Sequence, residues 1–145
     1  MQPRKKRILF MAQLPPPVHG AALRNKSLLD SKLVNDNFEL TSLPLRFVDD
    51  LKEIGSFSFK KVFVAVGYCF RLFFILATKR IALAYFTMSP KGGAFYRDIL
   101  FITLLKVFRK KVLLHFRVKG IQITARTKWG RRLVRYAFRG SDVVC

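Results

Sequence analysis

The two histidines of the chain each follow an apolar run typical of a buried strand. His19 lies shortly after the run from Arg7 to Gln13, and His115 lies near the end of the run from Lys110 to Phe116. In an open parallel sheet, ligands bind outside the carboxyl ends of the strands, where the strand order reverses. We therefore expect both imidazoles in one crevice, between strands one and four. The alternative is structural: His19 caps its loop, and His115 is hydrogen-bonded within a buried strand.

Glycines occur at two positions where a predicted strand is followed by a predicted helix. Gly20 precedes the first helical pattern, and Gly92 and Gly93 precede the third. A helix start offers free N–H groups and the positive end of the helix dipole, both of which favour phosphate. Neither segment matches GxGxxG or a P-loop, so ordinary strand-to-helix turns remain the alternative. The candidate phosphate-binding or acceptor-binding residues are His19, Gly20, Ala21, Ser89, Gly92 and Gly93.

Other familiar catalytic arrangements are missing from the sequence. Asp49, Asp50 and Glu53 cluster without a neighbouring His or Cys, which favours a solvated turn. The sequence has no Ser-His-Asp order, no nucleophile elbow and no zinc-ligand spacing. Two cysteines, Cys69 and Cys145, indicate neither a disulfide framework nor a metal site and fit a reducing compartment. We expect no metal and no bound cofactor.

The charge balance is strongly basic, which favours anionic partners. Lys and Arg number 28 against 8 Asp and Glu, a formal net charge of +20. Basic residues mixed with aromatic ones recur at helical spacing near the end of the chain, as on a helix that rests on anionic lipid. The candidate membrane-surface residues are Lys128, Arg131, Arg132 and Arg135. A merely solvated basic helix is the alternative; nucleic acid is not expected, because no nucleic-acid module matches.

Apolar runs alternate with helical periodicity along the whole chain. This alternation predicts an α/β domain, Rossmann-like and three-layered, with a mostly parallel sheet. The expected strands are 7–13, 38–43, 81–87, 110–116 and a short terminal 143–145; the expected helices are 21–34, 58–78, 94–108 and 128–139. Turn residues 35–37 should end the first helix, and 45–55 and 117–127 should be loops.

Periodicity also predicts which helix faces are buried. In the first helix we expect Ala22, Leu29 and Leu33 to share one face. In the third, the expected face contains Phe95, Ile99, Ile102 and Lys106, with Leu105 adjacent. In the last helix, Leu133, Tyr136 and Ala137 should point inward.

Two apolar segments of the sequence could belong either to a membrane or signal segment or to a globular domain. About six apolar residues follow the basic start, too few for a signal peptide. The run from Val62 to Ala77 contains Arg71 and is shorter than the ~20 apolar residues that span a bilayer. We expect a packed helix in a cytoplasmic protein, with membrane insertion of 62–77 as the alternative.

Four stretches of the sequence together resemble a known family. They are Ile8 to Gly20 (ILFMAQLPPPVHG), Tyr85 to Asp98 (YFTMSPKGGAFYRD), Val112 to His115 (VLLH) and Gly140 to Cys145 (GSDVVC). They resemble the N-terminal domain of bacterial family 4 glycosyltransferases, which are GT-B enzymes with two Rossmann-like domains. The resemblance covers essentially the whole chain, and its first two stretches are the most specific.

The resemblance implies a retaining transfer from a nucleotide sugar in the synthesis of a cell-surface glycan or lipid-linked saccharide. In the family, the N-terminal domain mainly holds the acceptor, and its first glycine loop, here His19 and Gly20, approaches the donor phosphates. The resemblance thus implies that 1–145 is the acceptor-side half of a GT-B enzyme, peripheral to the inner face of the cell membrane. The short strand that ends the chain fits a truncated domain, lacking the C-terminal donor-binding domain. We expect no transfer by the isolated chain.

One position departs from the family pattern. Related sequences commonly have a second histidine after strand four, where this chain has Arg117. The candidate catalytic residues are therefore His115 and Arg117, and Arg117 could bind a phosphate or an acceptor hydroxyl but cannot accept a hydrogen bond. The competing function is a non-catalytic basic protein that binds the membrane surface.

Overall fold

The strands and helices alternate as the sequence predicts. The computed structural model describes residues 5–16, 18, 20–46, 59–116 and 120–144. Its strands are β1 (Lys6–Ala12), β2 (Phe38–Pro44), β3 (Leu83–Thr87), β4 (Lys111–His115) and β5 (Asp142–Val144). Its helices are α1 (Gly20–Leu29), α2 (Lys32–Asn37), α3 (Phe59–Thr78), α4 (Gly92–Val107), α5 (Ile121–Thr124) and α6 (Lys128–Phe138).

The five strands form one sheet in the order β2-β1-β3-β4-β5, and each neighbouring pair is parallel. The strand order reverses between β1 and β3, because the chain first steps from β1 to β2 and then crosses back over β1 through α3. The prediction of a reversal between strands one and four is therefore wrong. A reversal between strands one and four would require β3 to lie on the same side of β1 as β2. In the described part of the chain, β2 is the only strand on that side of β1.

Helices cover both faces of the sheet, which gives three layers. The larger core joins one face of the strands to α3, α4 and α6 and includes Leu9, Leu72, Phe86, Phe101 and Ala137. The smaller core, on the opposite face, joins Phe10, Ala12 and Tyr85 to Leu28 and Leu29 of α1. Successive residues of β1 thus enter different cores, which explains why that strand is apolar without alternation.

The first helical segment is interrupted, contrary to prediction. α1 ends at Leu29, and Ser31 takes extended backbone angles before α2 begins at Lys32. The break turns Leu33 into solvent, with 75% of its surface exposed, so the predicted shared face with Ala22 and Leu29 is wrong at Leu33. Residues 35–37, predicted to stop the helix, are the end of α2, and β2 follows directly.

The later helices agree better with the periodicity. Phe95, Ile99, Ile102 and Leu105 of α4 are buried as predicted, while Lys106 is only partly buried and its ammonium donates to the backbone oxygens of Tyr136 and Arg139. Leu133 packs against the core, but the prediction that Tyr136 points inward is wrong. Tyr136 is exposed and lies over the side of α4 instead of entering the core: its ring lies beneath the Lys106 ammonium and its hydroxyl donates to Thr103.

The end of the described chain contains one element that the sequence pattern missed. The single helical turn α5 lies in the predicted loop 117–127, and residues 117–119 of that loop fall outside the described residues. Gly140, with a φ of 72°, follows α6 and takes the left-handed conformation that commonly ends a helix. The predicted short terminal strand is confirmed as β5, paired with β4.

The apolar helix α3 packs along one side only. Ala65, Tyr68, Leu72 and Leu76 are buried against the sheet, while Phe63 and other large residues face solvent. Among the described residues, no helix is both long and apolar enough to cross a membrane.

Candidate functional site

A crevice opens at the carboxyl ends of the strands, at the reversal of strand order. Its walls come from the residues that follow β1 and β3, from the first turns of α1, from α4 and from the end of β4. The lining residues are Gln13, Ala21, Asn25, Leu45, Thr87, Met88, Ser89, Pro90, Arg97 and His115. None of these described lining residues is Asp or Glu, and Arg97 brings a guanidinium to the crevice.

The crevice brings together part of the predicted site. Ala21, Ser89 and His115 line it, and α1 begins at Gly20 beside Ala21. Gly92 and Gly93 form the first turn of α4 and are absent from the lining. His19 and Arg117 lie outside the described residues, so the predicted meeting of His19 with His115 stays a prediction.

Arg97 and its neighbour Asp98 form a partly buried ion pair at the wall of the crevice. The Oδ1 atom of Asp98 accepts from Nε of Arg97 at 2.8 Å and from Nη2 at 2.7 Å. The side chain of Asp98 is 1% exposed and that of Arg97 is 17% exposed. A guanidinium held by two bonds loses little freedom when it meets a ligand, so Arg97 presents preorganised N–H donors, while the Asp98 carboxylate balances its charge.

Burial and hydrogen bonding act in opposite directions on Asp98. Burial in the protein interior is the larger effect and raises the pKa of this carboxyl above its usual value, while Arg97 and the Ser89 backbone N–H lower it. The Oδ2 atom accepts from the Ser89 N–H at 2.8 Å. Asp98 therefore holds both the guanidinium of Arg97 and the loop that follows β3.

Further hydrogen bonds fix the loop of residues 88–91. The Met88 N–H donates to the carbonyl of His115 at 3.2 Å, and the hydroxyl of Thr124 donates to the carbonyl of Pro90 at 2.8 Å. Thr124 belongs to α5, so that short helix supports the crevice wall. With Ser89 held by Asp98, the wall is tied to three separate elements, and its position does not depend on a ligand.

His115 is oriented by an aromatic neighbour on the adjacent strand. The hydroxyl of Tyr85 and Nδ1 of His115 are 2.6 Å apart, and the two rings meet edge to face. Tyr85 in turn stacks on Phe10 with ring centroids 4.9 Å apart. The imidazole is thus positioned through β3 and β1, whose ends flank the reversal of strand order.

Asn25 contributes a buried amide to the floor of the crevice. Its Nδ2 donates to the carbonyl of Gln13 at 2.8 Å, and the residue is 1% exposed. Its Oδ1 is buried and has no hydrogen-bond partner in the described part of the chain. The bond to Gln13 fixes the orientation of the amide, because the reversed amide would set two carbonyl oxygens against each other.

The predicted basic surface lies on α6, apart from the crevice. Lys128, Arg131, Arg132 and Arg135 are exposed, and the guanidinium of Arg132 lies over the ring of Trp129, 5.5 Å from its centroid. The hydroxyl of Thr127 caps the helix by accepting from the Gly130 N–H at 3.0 Å. Trp129 is itself 72% exposed, so cations and an aromatic ring share this surface.

An exposed apolar surface lies on α3, which packs on the same face of the sheet as α6. We call it the α3 aromatic face: its exposed residues are Val62, Phe63, Val66, Phe70, Phe73 and Phe74. From Phe59 to Arg139 the only acidic residue is Asp98, and it is buried. The helical layer therefore exposes apolar and basic side chains without acidic ones in its described part.

Arg97, Asp98 and Asn25 were missed by the sequence reasoning, although each carries a signal. Asp98 lies three residues after Phe95, on the buried stripe of α4, and Asn25 lies three residues after Ala22 on the buried side of α1. A polar residue at an apolar position of a helix needs a partner. Within the described residues, no group of three or more His, Cys, Asp or Glu could hold a metal ion.

The comparisons with known proteins leave the family open. No protein-family model matches the chain, and neither curated proteins nor solved structures include a match. The Rossmann-like α/β fold thus stands on the chain's own structure.

Proposed function

We propose that the chain is the acceptor-side, Rossmann-like domain of a retaining, nucleotide-sugar-dependent glycosyltransferase of the GT-B type. The observation that carries the proposal is the crevice at the reversal of strand order, the place where open α/β sheets bind ligands. Arg97, His115 and Ser89 line it, and α1 begins at its edge. The resemblance of Ile8 to Gly20 and of Tyr85 to Asp98 to family 4 enzymes supplies the reaction.

The described residues suit a binding role more than an acid-base role. The guanidinium of Arg97, held by Asp98, would bind phosphate oxygens of the donor or an anionic acceptor. The start of α1 adds backbone N–H groups and a positive dipole end, which would stabilise charge that develops on the leaving diphosphate. His115, oriented by Tyr85, would contact the sugar or acceptor beside them. The donor-binding domain of the complete enzyme would close over this edge of the sheet.

Titration calorimetry with nucleotide sugars tests the proposal. We expect a panel of uridine- and guanosine-diphosphate sugars to bind the chain weakly, through the diphosphate alone, because the rest of the donor site belongs to the C-terminal domain. The affinity should be about tenfold lower in Arg97→Lys, because lysine keeps the charge but not the two-pronged contact. Arg80→Lys, an exchange at an exposed arginine after α3, is the matched control and should leave the affinity unchanged. Absence of binding by every member of the panel would contradict the proposal, and so would equal losses in both variants.

A turnover assay tests the division of labour between the two domains. We expect no sugar transfer by the chain alone, because the donor-binding residues of the family belong to the C-terminal domain. Product formation by the purified chain would contradict the assignment to the acceptor side.

A second proposal concerns location: the helical layer rests on an anionic membrane surface, on the cytoplasmic side. Exposed apolar patches mark interaction sites, and the α3 aromatic face is such a patch. Anionic lipid is the occupant that fits the charge, because the only acid between Phe59 and Arg139 is the buried Asp98, while α6 exposes four cations. A protein that acts on a lipid-linked acceptor would work at this surface. Without the glycosyltransferase proposal, the same surface supports a non-catalytic membrane-binding protein.

A further inference from the structure

A groove lies between α3 and α4, in the helical layer that α3, α4 and α6 form on one face of the sheet. Its lining is wholly apolar and consists of Cys69, Phe70, Phe73, Phe74 and Leu104. Burial raises the pKa of the Cys69 thiol, so this thiol is uncharged at neutral pH. The three phenylalanine rings are exposed, and the groove volume of about 310 Å³ is many times that of a water molecule. A chain of several carbon atoms therefore fits the groove and can reach it from solvent.

Exposed apolar side chains continue the groove along both helices. On α3, Phe63 and Val66 lie within the two turns that precede the lining residues, and both are exposed. On α4, Leu100 and Val107 lie one turn before and one turn after Leu104 and are 54% and 70% exposed. The groove is thus part of an apolar band that two helices share, and burial of this band would remove much apolar surface from water.

Exposed arginines surround the apolar band. Arg71 lies within the lining segment of α3, and Arg80 follows the end of that helix. Arg109 follows Phe108, whose ring meets that of Phe73 edge to face with centroids 5.5 Å apart. The helical layer exposes no acidic side chain in its described part. An amphiphile with an anionic head complements this surface, whereas a cationic one would be repelled.

We infer that the α3–α4 groove binds one hydrocarbon chain of an anionic membrane phospholipid, whose headgroup meets the surrounding arginines. The inference rests on the proposed membrane location and deepens it, because it names the lipid and the place where one chain of it lies. The groove lies toward the edge of the sheet where the strands begin, since Phe73 contacts Phe108 just before β4. The crevice lies at the opposite edge, so the occupant of the groove is a lipid of the bilayer and not the substrate of the crevice.

Monomeric amphiphiles, used below the concentrations at which they form micelles, test the inference on the unaltered chain. By titration calorimetry, n-dodecyl phosphate should bind at least about tenfold more tightly than n-octyl phosphate, because its four further methylenes leave water. n-Dodecyl maltoside, which has the same chain and a neutral head, should bind about fivefold more weakly than n-dodecyl phosphate. Equal affinities of the two phosphates, or no binding of either, would overturn the inference. Equal or tighter binding of the maltoside would overturn the anionic headgroup.

A larger side chain in the groove assigns the binding to it. Leu104→Trp should weaken the binding of n-dodecyl phosphate about tenfold, because the indole competes with the hydrocarbon chain for the groove. Leu33→Trp, the same exchange at an exposed residue of α2, is the matched control and should leave the affinity unchanged. Equal affinities of the two folded variants would overturn the assignment.

The Cys69 thiol gives a second measurement, which decides if Leu104→Trp does not fold. Cys145 is the only other cysteine, so Cys145→Ser leaves Cys69 as the single thiol. Saturation with n-dodecyl phosphate should slow the alkylation of Cys69 by N-ethylmaleimide, because the thiol lines the occupied groove. An unchanged alkylation rate at saturation would overturn the inference.

A second copy of the chain is the competing occupant of the apolar band. Analytical ultracentrifugation should show that the unaltered chain is a monomer. A dimer that Leu104→Trp dissociates would overturn the inference, because protein and not lipid would then cover the groove.

The inference and the membrane location fail separately in these measurements. Salt-sensitive binding to phosphatidylglycerol vesicles, together with no binding of the monomeric phosphates, would remove the inference and leave the location. Chain-length-dependent binding of the phosphates without any binding to vesicles would contradict the location and leave the groove as a site for single anionic amphiphiles. Neither result depends on whether nucleotide sugars bind the crevice.

Discussion

The carboxylate of Asp98 holds the guanidinium of Arg97 through one oxygen and the backbone of Ser89 through the other. Oδ1 accepts from Arg97 Nε and Nη2 at 2.8 and 2.7 Å, and Oδ2 accepts from the Ser89 N–H at 2.8 Å. Two adjacent residues of α4 thus set both the orientation of the guanidinium at the crevice and the position of its wall. The crevice is therefore organised before any ligand arrives.

Asp98→Asn should lower the free energy of unfolding by about 1–3 kcal/mol. Both carboxylate oxygens accept from N–H groups, so an amide must set its own N–H₂ against one of them, whichever way it turns. Urea denaturation at neutral pH measures the change. Asp142→Asn is the matched control, because Asp142 is exposed, and it should change the stability by no more than about 0.5 kcal/mol. Equal stabilities of the two variants would contradict the role of Asp98.

The stability that Asp98 contributes should depend on pH in a defined direction. Because burial raises its pKa in the folded state, the folded protein binds more protons than the unfolded chain between the usual value of 3.8 and the raised one. This proton-linked part of the stability is fully present below 3.8 and is lost as the pH rises through the raised pKa. The cost of Asp98→Asn at neutral pH is separate, because it comes from N–H groups left without an acceptor. The stability difference between the unaltered protein and Asp98→Asn should therefore widen as the pH is lowered through this window. A difference that narrows on acidification would contradict the direction of the shift.

Gly130→Ala should destabilise the protein by about 2 kcal/mol or more. A Cβ at this position of α6 would overlap the carbonyl oxygen of Thr124 and lie 2.7 Å from Oγ1 of Thr127. Gly67→Ala, in the middle of α3, meets nothing within 4 Å and should instead stabilise the protein by about 0.5–1 kcal/mol. If α5 and α6 pack as described, thermal or urea denaturation will show a lower free energy of unfolding for Gly130→Ala and a higher one for Gly67→Ala. A gain of stability in both would contradict that packing.

Binding to anionic vesicles should depend on α6 more than on total charge. Removing three arginines, Arg131, Arg132 and Arg135, by exchange for Gln should reduce binding to phosphatidylglycerol vesicles by about 100-fold, at about 1 kcal/mol for each cation. The control exchanges Lys6, Arg24 and Lys32 for Gln, which removes the same charge from other exposed positions. Co-sedimentation at low and high salt measures both.

The same vesicle assay tests the α3 aromatic face. Phe63→Ser together with Phe70→Ser should weaken binding about tenfold, because both rings are exposed and available to the lipid interface. Identical binding of all the variants at low salt would contradict the membrane-surface proposal, and strong binding to neutral vesicles would contradict its dependence on charge.

Elements that depend on local pattern could be predicted from the sequence. The strand from Lys6 to Ala12 and the helix from Phe59 to Thr78 each differ from their predicted bounds by one residue at most, because long apolar runs leave few alternatives. The break between α1 and α2 was missed, since Asp30 and Ser31 are compatible with a continuous helix and no local pattern marks the extended backbone at Ser31. The place where the strand order reverses was also predicted wrongly, because hydrophobic periodicity does not indicate on which side of the sheet the next strand is added.

The candidate site could be predicted only in outline. His115, Ser89 and Ala21 follow from the rule that strand ends meet at one edge of a sheet. The bond from Ser89 to Asp98 and the bond from Asn25 to Gln13 join separate elements, so no local pattern predicts them. Their signal was a polar residue on a buried helix face, which indicates a partner but not which one.

Mapping the bound ligand by amide chemical shifts tests the central claim most directly. In a titration of the ¹⁵N-labelled chain with a nucleotide sugar that binds, the account predicts the largest shifts at lining residues of the crevice: Gln13, Ala21, Ser89 and His115. Amides on the outer side of α6, such as that of Arg132, should stay unchanged. Shifts concentrated on α6 or on the α3 aromatic face, with the four crevice amides unaffected, would contradict the claim that the crevice is the binding site.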